Sequence, residues 1–325
     1  MNNIILIGAA GHQGSEYFNL LKSKHKISAL VDENLNSLEN LYKNFNIPLF
    51  KNLNCIDRSI NYETAVVCVP HHLHKEITTQ LISLGKTVIK EKPLAISTDD
   101  IDDYNNLMKE YSNDRLLTIV QRSFNQSFVL ARNDISLLGE VYNYQYTYNL
   151  NVPVQTSGWR ADFKKSFGGV LIDMGYHIFD VIFSFFGRPD FSYAISSFCY
   201  EDMKRENLED SINILMKHKE GLSGTIVLNR HSSQKKEIFT ILGTNGSMEI
   251  TPKGYTISDR HNETIKKVDY VYNSDQIKLS MFESYLNLQN DHKFLTKHFE
   301  HHCDIVREIE NIYKNIEITH YKLAA

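Results

Sequence analysis

Short apolar runs alternate with helix-like stretches over the first part of the chain, and this alternation constrains the fold more than any other feature. The apolar runs are NIILIG (3–8), ISALVD (27–32), AVVCVP (65–70), KTVIKE (86–91) and LLTIV (116–120). The helix-like stretches lie near 14–24, 35–45, 73–84 and 98–111. Buried apolar strands joined by helices need a helix layer on each face, so the sequence predicts an α/β fold with a doubly wound parallel sheet.

The pattern changes after residue 122. Alternating segments typical of strands lie at 140–150, 191–200, 211–218, 223–231, 236–243 and 247–256. Helical patterns lie near 125–138, 173–186 and 298–315. Hairpin signals occur at HKEGLSG (218–224) and GTNGS (243–247). These features predict a C-terminal α+β domain with an open, mostly antiparallel sheet.

Three glycines follow the first strand with the spacing G-x-x-G-x-x-G, at Gly8, Gly11 and Gly14. The dinucleotide fingerprint is G-x-G-x-x-G, so one glycine is displaced. In such a turn, Gly8 permits the tight bend, Gly11 lets the backbone approach phosphate, and Gly14 packs helix against strand. The N–H groups of His12, Gln13 and Gly14 then face a pyrophosphate. A simple bend without ligand is the alternative.

Asp32 favours the nucleotide interpretation. It closes the second strand, 24 residues after Gly8, where an acid hydrogen-bonds the ribose hydroxyls of NAD. Glu33 and Asn34 follow, with no Arg or Lys directly after Asp32 to accept a 2′-phosphate. The sequence therefore predicts NAD, with NADP less favoured, although a solvated acid that caps the next helix would look the same.

The stretch VCVPHHLHKEITTQLISLGKTVIKEKPLAIST (67–98) brings two strand ends to the predicted cofactor crevice. Val69, Pro70 and His74 follow one strand, and the E-K-P element with Glu91 and Lys92 follows the next. The HHLH histidines lack an acid or Cys at metal-ligand spacing, so we expect them to line the cofactor and predict no metal site. A Lys at this edge can polarise a substrate oxygen, or it can be an exposed charge.

GGVLIDMGYHIFDVIFSFFG (168–187) spaces Asp173, His177 and Asp180 at i, i+4 and i+7, which places them on one face of a helix. An acid beside an imidazole is an arrangement used in acid–base catalysis. A capping Asp with a structural His would give the same spacing. The sequence offers no third zinc ligand here, and it contains no G-x-S-x-G nucleophile element.

These motifs together resemble the Gfo/Idh/MocA oxidoreductases, and the resemblance covers most of the chain. It includes the glycine turn, P-x-x-x-H at 70–74, GKTVIKEKPLA (85–95), GEV (139–141), SGWR (157–160), GGVLIDMGYHIFD (168–180), EDS (209–211) and GTNGSMEI (243–250). The last ~70 residues match loosely. The resemblance implies a Rossmann dinucleotide-binding domain over 1–122 and a substrate-binding and oligomerisation domain over 123–325.

The resemblance also implies roles for individual residues. Lys92, Asp173 and His177 would form the catalytic set, with His177 taking the hydroxyl proton, Lys92 binding the reacting oxygen and touching the cofactor, and Asp173 holding a neighbouring hydroxyl. Whether Lys92 or His177 is the formal base differs among relatives. Trp159 and Arg160 would wall the substrate pocket. Arg160 or Arg122 would meet a phosphate or carboxylate.

The implied activity is NAD-dependent hydride transfer to or from a hydroxyl or keto carbon of a sugar, cyclitol or nucleotide-sugar. The alternatives are a dinucleotide-binding regulator of the same fold and NAD-dependent elimination or glycosidase chemistry. The resemblance also implies a homo-oligomer, a dimer or tetramer, formed through the C-terminal sheet.

Composition limits the partners and the compartment. The formal charge of −4 and pI near 6.4 argue against nucleic acid or an anionic membrane as partners. The four cysteines show no C-x-x-C pattern, which favours reduced thiols in the cytoplasm. The apolar runs are judged too short, at under about 18 residues, for a membrane-spanning helix.

Overall fold

The computed structural model describes residues 2–152 and 157–319. Its contacts divide the chain into two compact units. Unit 1 contains Met1–Ile119 and Asp275–Cys303, and unit 2 contains Val120–Ser274 and Asp304–Ala325. The sequence prediction of 1–122 followed by 123–325 does not include the return of 275–303 to unit 1.

The sheet of unit 1 is a parallel sheet with strand order β3-β2-β1-β4-β5-β6. Its strands are β1 (Asn3–Ile7), β2 (Lys26–Val31), β3 (Leu49–Phe50), β4 (Thr64–Val67), β5 (Thr87–Glu91) and β6 (Leu116–Ile119). The order reverses at β1, whose neighbours are β2 and β4. This is the doubly wound arrangement that the sequence predicts, and ligands bind such sheets outside the carboxyl ends of the strands at the reversal point.

The sheet of unit 2 has strand order β14-β13-β12-β11-β7-β10-β9-β8-β15. Its strands are β7 (Val141–Asn151), β8 (Phe191–Ser197), β9 (Ser211–Lys217), β10 (Ser223–Asn229), β11 (His231–Gly243), β12 (Gly246–Thr251), β13 (Gly254–Asp259), β14 (Thr264–Asp269) and β15 (Glu317–Thr319). Neighbours are antiparallel except for the pairs β7–β10 and β8–β15. The open, mostly antiparallel sheet confirms the prediction. The single strand predicted at 247–256 is wrong, because the chain turns at Pro252–Lys253 and forms the β12–β13 hairpin.

Ten α-helices accompany the sheets in the described ranges. They are α1 (His12–Leu21), α2 (Leu35–Tyr42), α3 (His74–Ser83), α4 (Thr98–Glu110), α5 (Gln126–Asn133), α6 (Phe163–Ser166), α7 (Tyr176–Phe186), α8 (Glu201–Arg205), α9 (Ser274–Leu288) and α10 (His292–Asn315). Short 3₁₀ turns lie at Leu53–Cys55, His71–Leu73, Arg122–Phe124, Ile135–Leu138, Gly158–Ala161 and Lys219–Gly221. A π-helical segment, Leu171–Gly175, precedes α7.

The return of 275–303 to unit 1 has a physical reason at β6, the edge strand of the sheet. The Thr118 N–H donates to His298 Nε2 at 2.8 Å, and the Tyr285 hydroxyl donates to the Thr118 carbonyl at 2.8 Å. An exposed edge strand would leave these main-chain groups without protein partners. The two later helices therefore supply what the first 119 residues lack.

In unit 2, α7 covers one face of the sheet. Phe186 stacks on Tyr144 of β7 with centroids 5.2 Å apart, and Phe185 meets Phe239 of β11 edge to face at 5.3 Å. The side chains of β8 alternate between buried and exposed, which leaves Phe191 on the opposite, exposed face. The core of unit 2 thus lies on the α7 side of the sheet.

One segment corrects the expectation about membrane-spanning length. Phe163–Phe186, with mean hydropathy 1.4, is long and apolar enough to cross a membrane by length and composition. However, 72% of its most apolar 18-residue window is buried inside the protein. We therefore interpret it as the core helical segment of unit 2.

Candidate active site

The turn after β1 is shaped by two glycines that have no room for a side chain. Gly8 has φ +80°, and a Cβ there would lie 2.4 Å from the Cys68 carbonyl oxygen. A Cβ on Gly14 would lie 2.2 Å from the Gly8 carbonyl oxygen. The bend at Gly8 and the close packing of α1 at Gly14 agree with the geometry that the sequence predicts.

The start of α1 presents main-chain donors at this turn. The first rung of the helix is the Ser15 N–H, which donates to the Gly11 carbonyl at 3.0 Å. The N–H groups of His12, Gln13 and Gly14 precede that rung, so the helix itself has no carbonyls for them. Such a helix start, together with its dipole, suits the binding of a phosphate group.

Asp32 ties the glycine turn to the end of β2. Its Oδ2 accepts the Ala10 N–H at 3.0 Å, and its Oδ1 accepts the Asn34 N–H at 3.0 Å. The Tyr42 hydroxyl holds the same turn from α2 by donating to the Ala9 carbonyl at 2.7 Å. Asp32 is half-buried and directly follows β2 at the carboxyl edge of the sheet, and its contact with a cofactor ribose stays a prediction.

Lys51 lies near this edge, although it is distant in sequence. A surface cleft there is lined by Glu33, Asn34, Leu35, Asn36 and Lys51. Lys51 reaches the cleft because β3 pairs in parallel with β2, with Phe50 opposite Val31. The absence of a basic residue directly after Asp32 therefore does not make this region free of cations.

His74 joins the two loops that follow β4 and β5. Its Nε2 lies 2.9 Å from the Val69 carbonyl oxygen and its Nδ1 lies 3.3 Å from the Pro93 carbonyl oxygen. Burial, and then the charge of Lys90, hold the pKa of His74 well below its usual range. Pro70 lies in the same loop, directly before the 3₁₀ turn that leads into α3. His74, which was predicted to line the cofactor, thus contacts the main chain through both ring nitrogens.

The E-K-P element follows directly from β5. The Tyr17 hydroxyl donates to the Glu91 carboxylate, whose pKa is raised by burial. Lys92 is buried, with 8% of its surface exposed. Two residues earlier, the fully buried Lys90 donates from Nζ to the Leu94 carbonyl at 2.7 Å, and burial lowers its pKa to about 7. Lys90 thus bridges the turn that carries Lys92.

In unit 2, a buried carboxylate fixes the start of the segment that carries Asp173 and His177. Glu209 accepts the N–H groups of Gly169 and Leu171 at 2.9 Å each, and the Tyr313 hydroxyl at 2.8 Å. A Cβ on Gly169 would lie 2.0 Å from the Glu209 carbonyl oxygen, and one on Gly168 would lie 2.1 Å from the Tyr313 hydroxyl oxygen. The two glycines therefore let Glu209 and Tyr313 approach the backbone.

The regular helix predicted at 173–186 begins later than the sequence suggests. Asp173 lies in the π-helical segment, and the α-helical conformation starts at Tyr176. Because i→i+5 bonding widens the turn, the α-helical spacing assumed for Asp173, His177 and Asp180 does not hold across the segment. His177 is half-buried on α7, whereas Asp180 is buried and accepts the Ser123 hydroxyl.

Two arginines approach the same oxygen of Asp173. Arg160 Nε lies 3.9 Å from Asp173 Oδ2, and Arg230 Nη2 lies 3.4 Å from it. The Arg160 guanidinium also lies 4.3 Å from the centroid of the Trp159 ring. The structure thus places Trp159, Arg160 and Asp173 together.

Arg122 lies in a different environment. Its Nε and Nη2 contact the Glu237 carboxylate at 2.6 and 3.1 Å, and its guanidinium lies 4.5 Å from the Tyr148 ring centroid. The Tyr146 hydroxyl also donates to Glu237, at 2.8 Å. Two of the donors predicted to meet a substrate anion are therefore occupied by a carboxylate of the chain itself.

Comparisons with known proteins assign both parts of the chain to one family. One family model, described as "Oxidoreductase family, NAD-binding Rossmann fold", matches residues 2–117, and a second, described as the GFO/IDH/MocA C-terminal domain, matches residues 134–249. The chain belongs to the Gfo/Idh/MocA oxidoreductase family. This membership confirms the resemblance read from the motifs.

Individual Gfo/Idh/MocA relatives are distant from this chain. Glucose-6-phosphate 3-dehydrogenase of Bacillus subtilis is 27% identical over 197 residues, which are 57% of this chain and 54% of that protein. The chain spans about half the length of the curated relatives it matches.

Solved structures of the same fold match over almost the whole chain. GenD2 from gentamicin A biosynthesis, in complex with NAD, has a TM-score of 0.80 at 18% identity and covers 97% of this chain and 93% of its own. A 3-ketoreductase from Actinomadura kijaniata, in complex with NADP and TDP-benzene, has a TM-score of 0.83 at 13% identity, with 99% of each chain covered. Both cofactors therefore occur with this fold.

Three charged residues close to the candidate site residues are not predicted by the sequence. Lys51 is brought to Asp32 by strand pairing, and Lys90 is hidden inside a run that reads as an apolar strand. Arg230 directly follows β10. Its contact with Asp173 joins residues that are distant in the sequence, so it cannot be seen before the chain folds. A charged residue inside an otherwise apolar strand was the available signal for Lys90.

Proposed function

We propose that this chain is an NAD-dependent oxidoreductase that transfers a hydride between nicotinamide and a hydroxyl or keto carbon of a sugar, cyclitol or nucleotide-sugar. The observation that carries the proposal is the buried Lys92 directly after β5, on the same carboxyl edge of the sheet as the glycine turn. A buried lysine at the edge where dinucleotides bind is suited to contact a reacting oxygen. The glucose-6-phosphate 3-dehydrogenase relative supports a sugar-like substrate.

The residues of unit 1 fit a dinucleotide. A Cβ at Gly8 or Gly14 would clash with neighbouring main chain, so these glycines preserve the tight turn that a dinucleotide-binding loop needs. The N–H groups of His12, Gln13 and Gly14 would hold the pyrophosphate, and Asp32 would accept the ribose hydroxyls. Val69, Pro70, His74 and Glu91 would shape the loops on the nicotinamide side.

The chemistry divides among three residues. When bound, a nicotinamide would supply the hydride acceptor for this chemistry. In the oxidation direction, a ring nitrogen of His177 takes the proton of the reacting hydroxyl as the carbinol becomes a ketone. Lys92 Nζ donates a hydrogen bond to the reacting oxygen, and the Asp173 carboxylate accepts a hydroxyl on a neighbouring carbon. Trp159 and Arg160 would wall the substrate, whereas Arg122 is paired with Glu237.

NAD is the proposed cofactor because Asp32 would repel a 2′-phosphate. Lys51 at the neighbouring cleft is the observation that favours partial use of NADP. We expect a higher kcat/KM with NAD than with NADP. Lys51→Ala should lower kcat/KM with NADP by up to about tenfold and leave kcat/KM with NAD unchanged. Faster turnover with NADP in the unmodified protein would contradict the assignment.

The deciding experiment follows NADH absorbance with a panel of sugars, cyclitols and nucleotide-sugars, with NADP in parallel. Net NADH formation with one class of substrate supports the proposal. Release of a leaving group without net NADH would instead indicate elimination chemistry. Dinucleotide binding without turnover on the whole panel, together with capture of a partner protein, would indicate a regulator.

We propose a homo-oligomer, a dimer or tetramer, formed through the exposed face of the unit 2 sheet. Phe191, Tyr193, Ile195 and Leu215 on this face are between 37% and 62% exposed. An apolar sheet face of this kind is typical of subunit contacts. We also propose a cytoplasmic location, which the four free cysteines support. Light scattering of Leu215→Glu against the unmodified protein tests the oligomer.

A further inference from the structure

Arg230 is a buried cation at the end of β10. It is 5% exposed, and its backbone is held on both sides, because its N–H donates to the Asp210 carbonyl at 2.9 Å and its carbonyl accepts the Val152 N–H at 3.2 Å. The backbone bonds and the burial of the side chain together restrict where the guanidinium can lie. A ligand that binds it does not have to order it first.

The charge of Arg230 is only partly compensated within the described ranges 2–152 and 157–319. Its carboxylate contact is Asp173, at 3.4 Å, which is longer than the 2.7–2.9 Å of a strong charge-assisted bond. Its Nε is buried and has no hydrogen-bond partner among the described residues. Buried polar groups normally have partners, so this atom indicates a partner that the described part of the chain does not supply.

Arg160 adds a second positive charge at the same place. It contacts Asp173 Oδ2 at 3.9 Å, its side chain is 45% exposed, and it stacks on Trp159. Two guanidiniums thus share one carboxylate, and each guanidinium has five N–H donors. The cluster of Arg160, Asp173 and Arg230 keeps a net positive charge and has donors left for an anion.

We propose that the Arg160–Asp173–Arg230 cluster binds an oxyanion carried by the substrate, so that the substrate is an anionic sugar and not a neutral one. The oxyanion is a phosphate, a pyrophosphate or a carboxylate, since a guanidinium recognises each through paired N–H donors. Asp173 remains the acceptor for a hydroxyl, while the arginines take the charged group. This inference rests on the proposed function, because it names the substrate class of that same site.

The first test measures anion binding without turnover. Inorganic phosphate is titrated into the protein by calorimetry in saturating NADH, which occupies the glycine turn, at constant ionic strength. We expect a dissociation constant on the order of millimolar for the unmodified protein. Arg230→Met and Arg160→Met are expected to weaken binding by about 10- to 100-fold. The control Arg188→Met removes an arginine that pairs with Glu308 elsewhere in unit 2 and is expected to leave binding unchanged.

Folding and the source of the anion are checked in the same preparations. NADH affinity and the melting temperature show whether each variant is folded, and the half-exposed Arg160 supplies a second variant if Arg230→Met does not fold. Glucose 6-phosphate, glucuronate and UDP-glucose are then compared with glucose as ligands of the NADH complex. At least tenfold tighter binding of one anionic compound, lost in the arginine variants, supports the inference and identifies its source.

Two results would overturn the inference while leaving the proposed function intact. One is the absence of phosphate binding together with NADH formation from a neutral sugar. The other is a preference for anions that survives both arginine substitutions. If phosphate binds at the cluster but no sugar of either class yields NADH, the proposed function fails, and the substrate assignment fails with it.

Discussion

The two units hold their candidate residues in different ways. In unit 1, the side chains form hydrogen bonds with the main chain of the loops. Asp32 accepts the Ala10 N–H, and Lys90 donates to the Leu94 carbonyl. His74 contacts the Val69 and Pro93 carbonyls. In unit 2, Asp173 is met by the charged ends of Arg160 and Arg230. A turn that binds a dinucleotide needs a fixed main-chain conformation, whereas side chains that bind a substrate must be able to exchange hydrogen-bond partners.

The largest expected effect separates the chemical roles of the two units. His177→Ala should lower kcat by about 10²- to 10⁴-fold, because it removes the proposed proton acceptor, and leave NADH affinity unchanged. Lys92→Ala should lower kcat by a similar factor and also weaken NADH binding. Stopped-flow hydride transfer and fluorescence titration of NADH measure the two quantities. Weaker NADH binding in His177→Ala would break the comparison.

The next effect tests how strictly the backbone of unit 1 is set. Gly14→Ala should destabilise the protein by about 3 kcal/mol and abolish NADH binding, since its Cβ would lie 2.2 Å from the Gly8 carbonyl oxygen. Gly85→Ala is the control: its φ is +67°, nothing lies within 4 Å of its Cβ, and we expect a loss of about 1–2 kcal/mol with binding intact. Urea unfolding and NADH titration test both. Normal NADH affinity in Gly14→Ala would show that the turn adapts.

A smaller effect concerns the pH dependence of unit 1. His298 accepts the Thr118 N–H, and burial lowers its pKa from 6.5 to about 3. The folded state therefore binds fewer protons than the unfolded state, so this stabilisation is present above pH ~6.5 and is lost as the pH falls toward ~3. Between about pH 7 and pH 5, His298 should contribute roughly 2 kcal/mol of that loss.

His298→Gln keeps an acceptor for Thr118 but does not titrate. Its unfolding free energy should fall less steeply with decreasing pH than that of the unmodified protein. His292→Gln removes an exposed histidine whose pKa is raised by Asp114, so it should make the unfolding free energy fall more steeply with decreasing pH, which is the opposite direction. Equal slopes for the unmodified protein and His298→Gln in urea melts at several pH values would refute the assignment.

The smallest effect examines a place where a side chain of unit 2 also binds the backbone. Glu209→Gln turns one acceptor oxygen into a donor facing the Gly169 or Leu171 N–H, so we expect a loss of about 1–2 kcal/mol. Because these bonds fix the start of the segment that carries Asp173 and His177, kcat should fall more than KM changes. Tyr313→Phe removes only one bond to Glu209 and serves as the milder comparison. An unchanged kcat in both Glu209→Gln and Tyr313→Phe would show that Glu209 contributes to stability and not to turnover.

The sequence predicts the backbone-determined parts of the fold well. Gly8 and Gly14 report the turn directly, because only glycine fits there, and the short apolar runs of the first part of the chain indicate the parallel strands. These are local rules, so neighbouring residues suffice to state them.

What the sequence does not predict depends on contacts between distant residues. The contact of Arg230 with Asp173 joins β10 to the π-helical segment, and Lys51 reaches the Asp32 edge through a two-residue strand. The return of α9 and part of α10 to unit 1 follows from unfilled groups on β6, which cannot be seen before the sheet is assembled. The α-helical period that the sequence predicts between Asp173 and His177 is likewise not kept by the π-helical segment.

The return of residues 275–303 also has a consequence for synthesis. The chain emerges N-terminus first, and domains generally fold as units in that order. The edge groups of Thr118 obtain their partners from Tyr285 and His298, more than 160 residues later. Unit 1 therefore cannot complete its folding until Cys303 has emerged from the ribosome. A ribosome that stalls within the unit 2 strands holds a nascent chain whose cofactor-binding sheet still has an unpaired edge at β6.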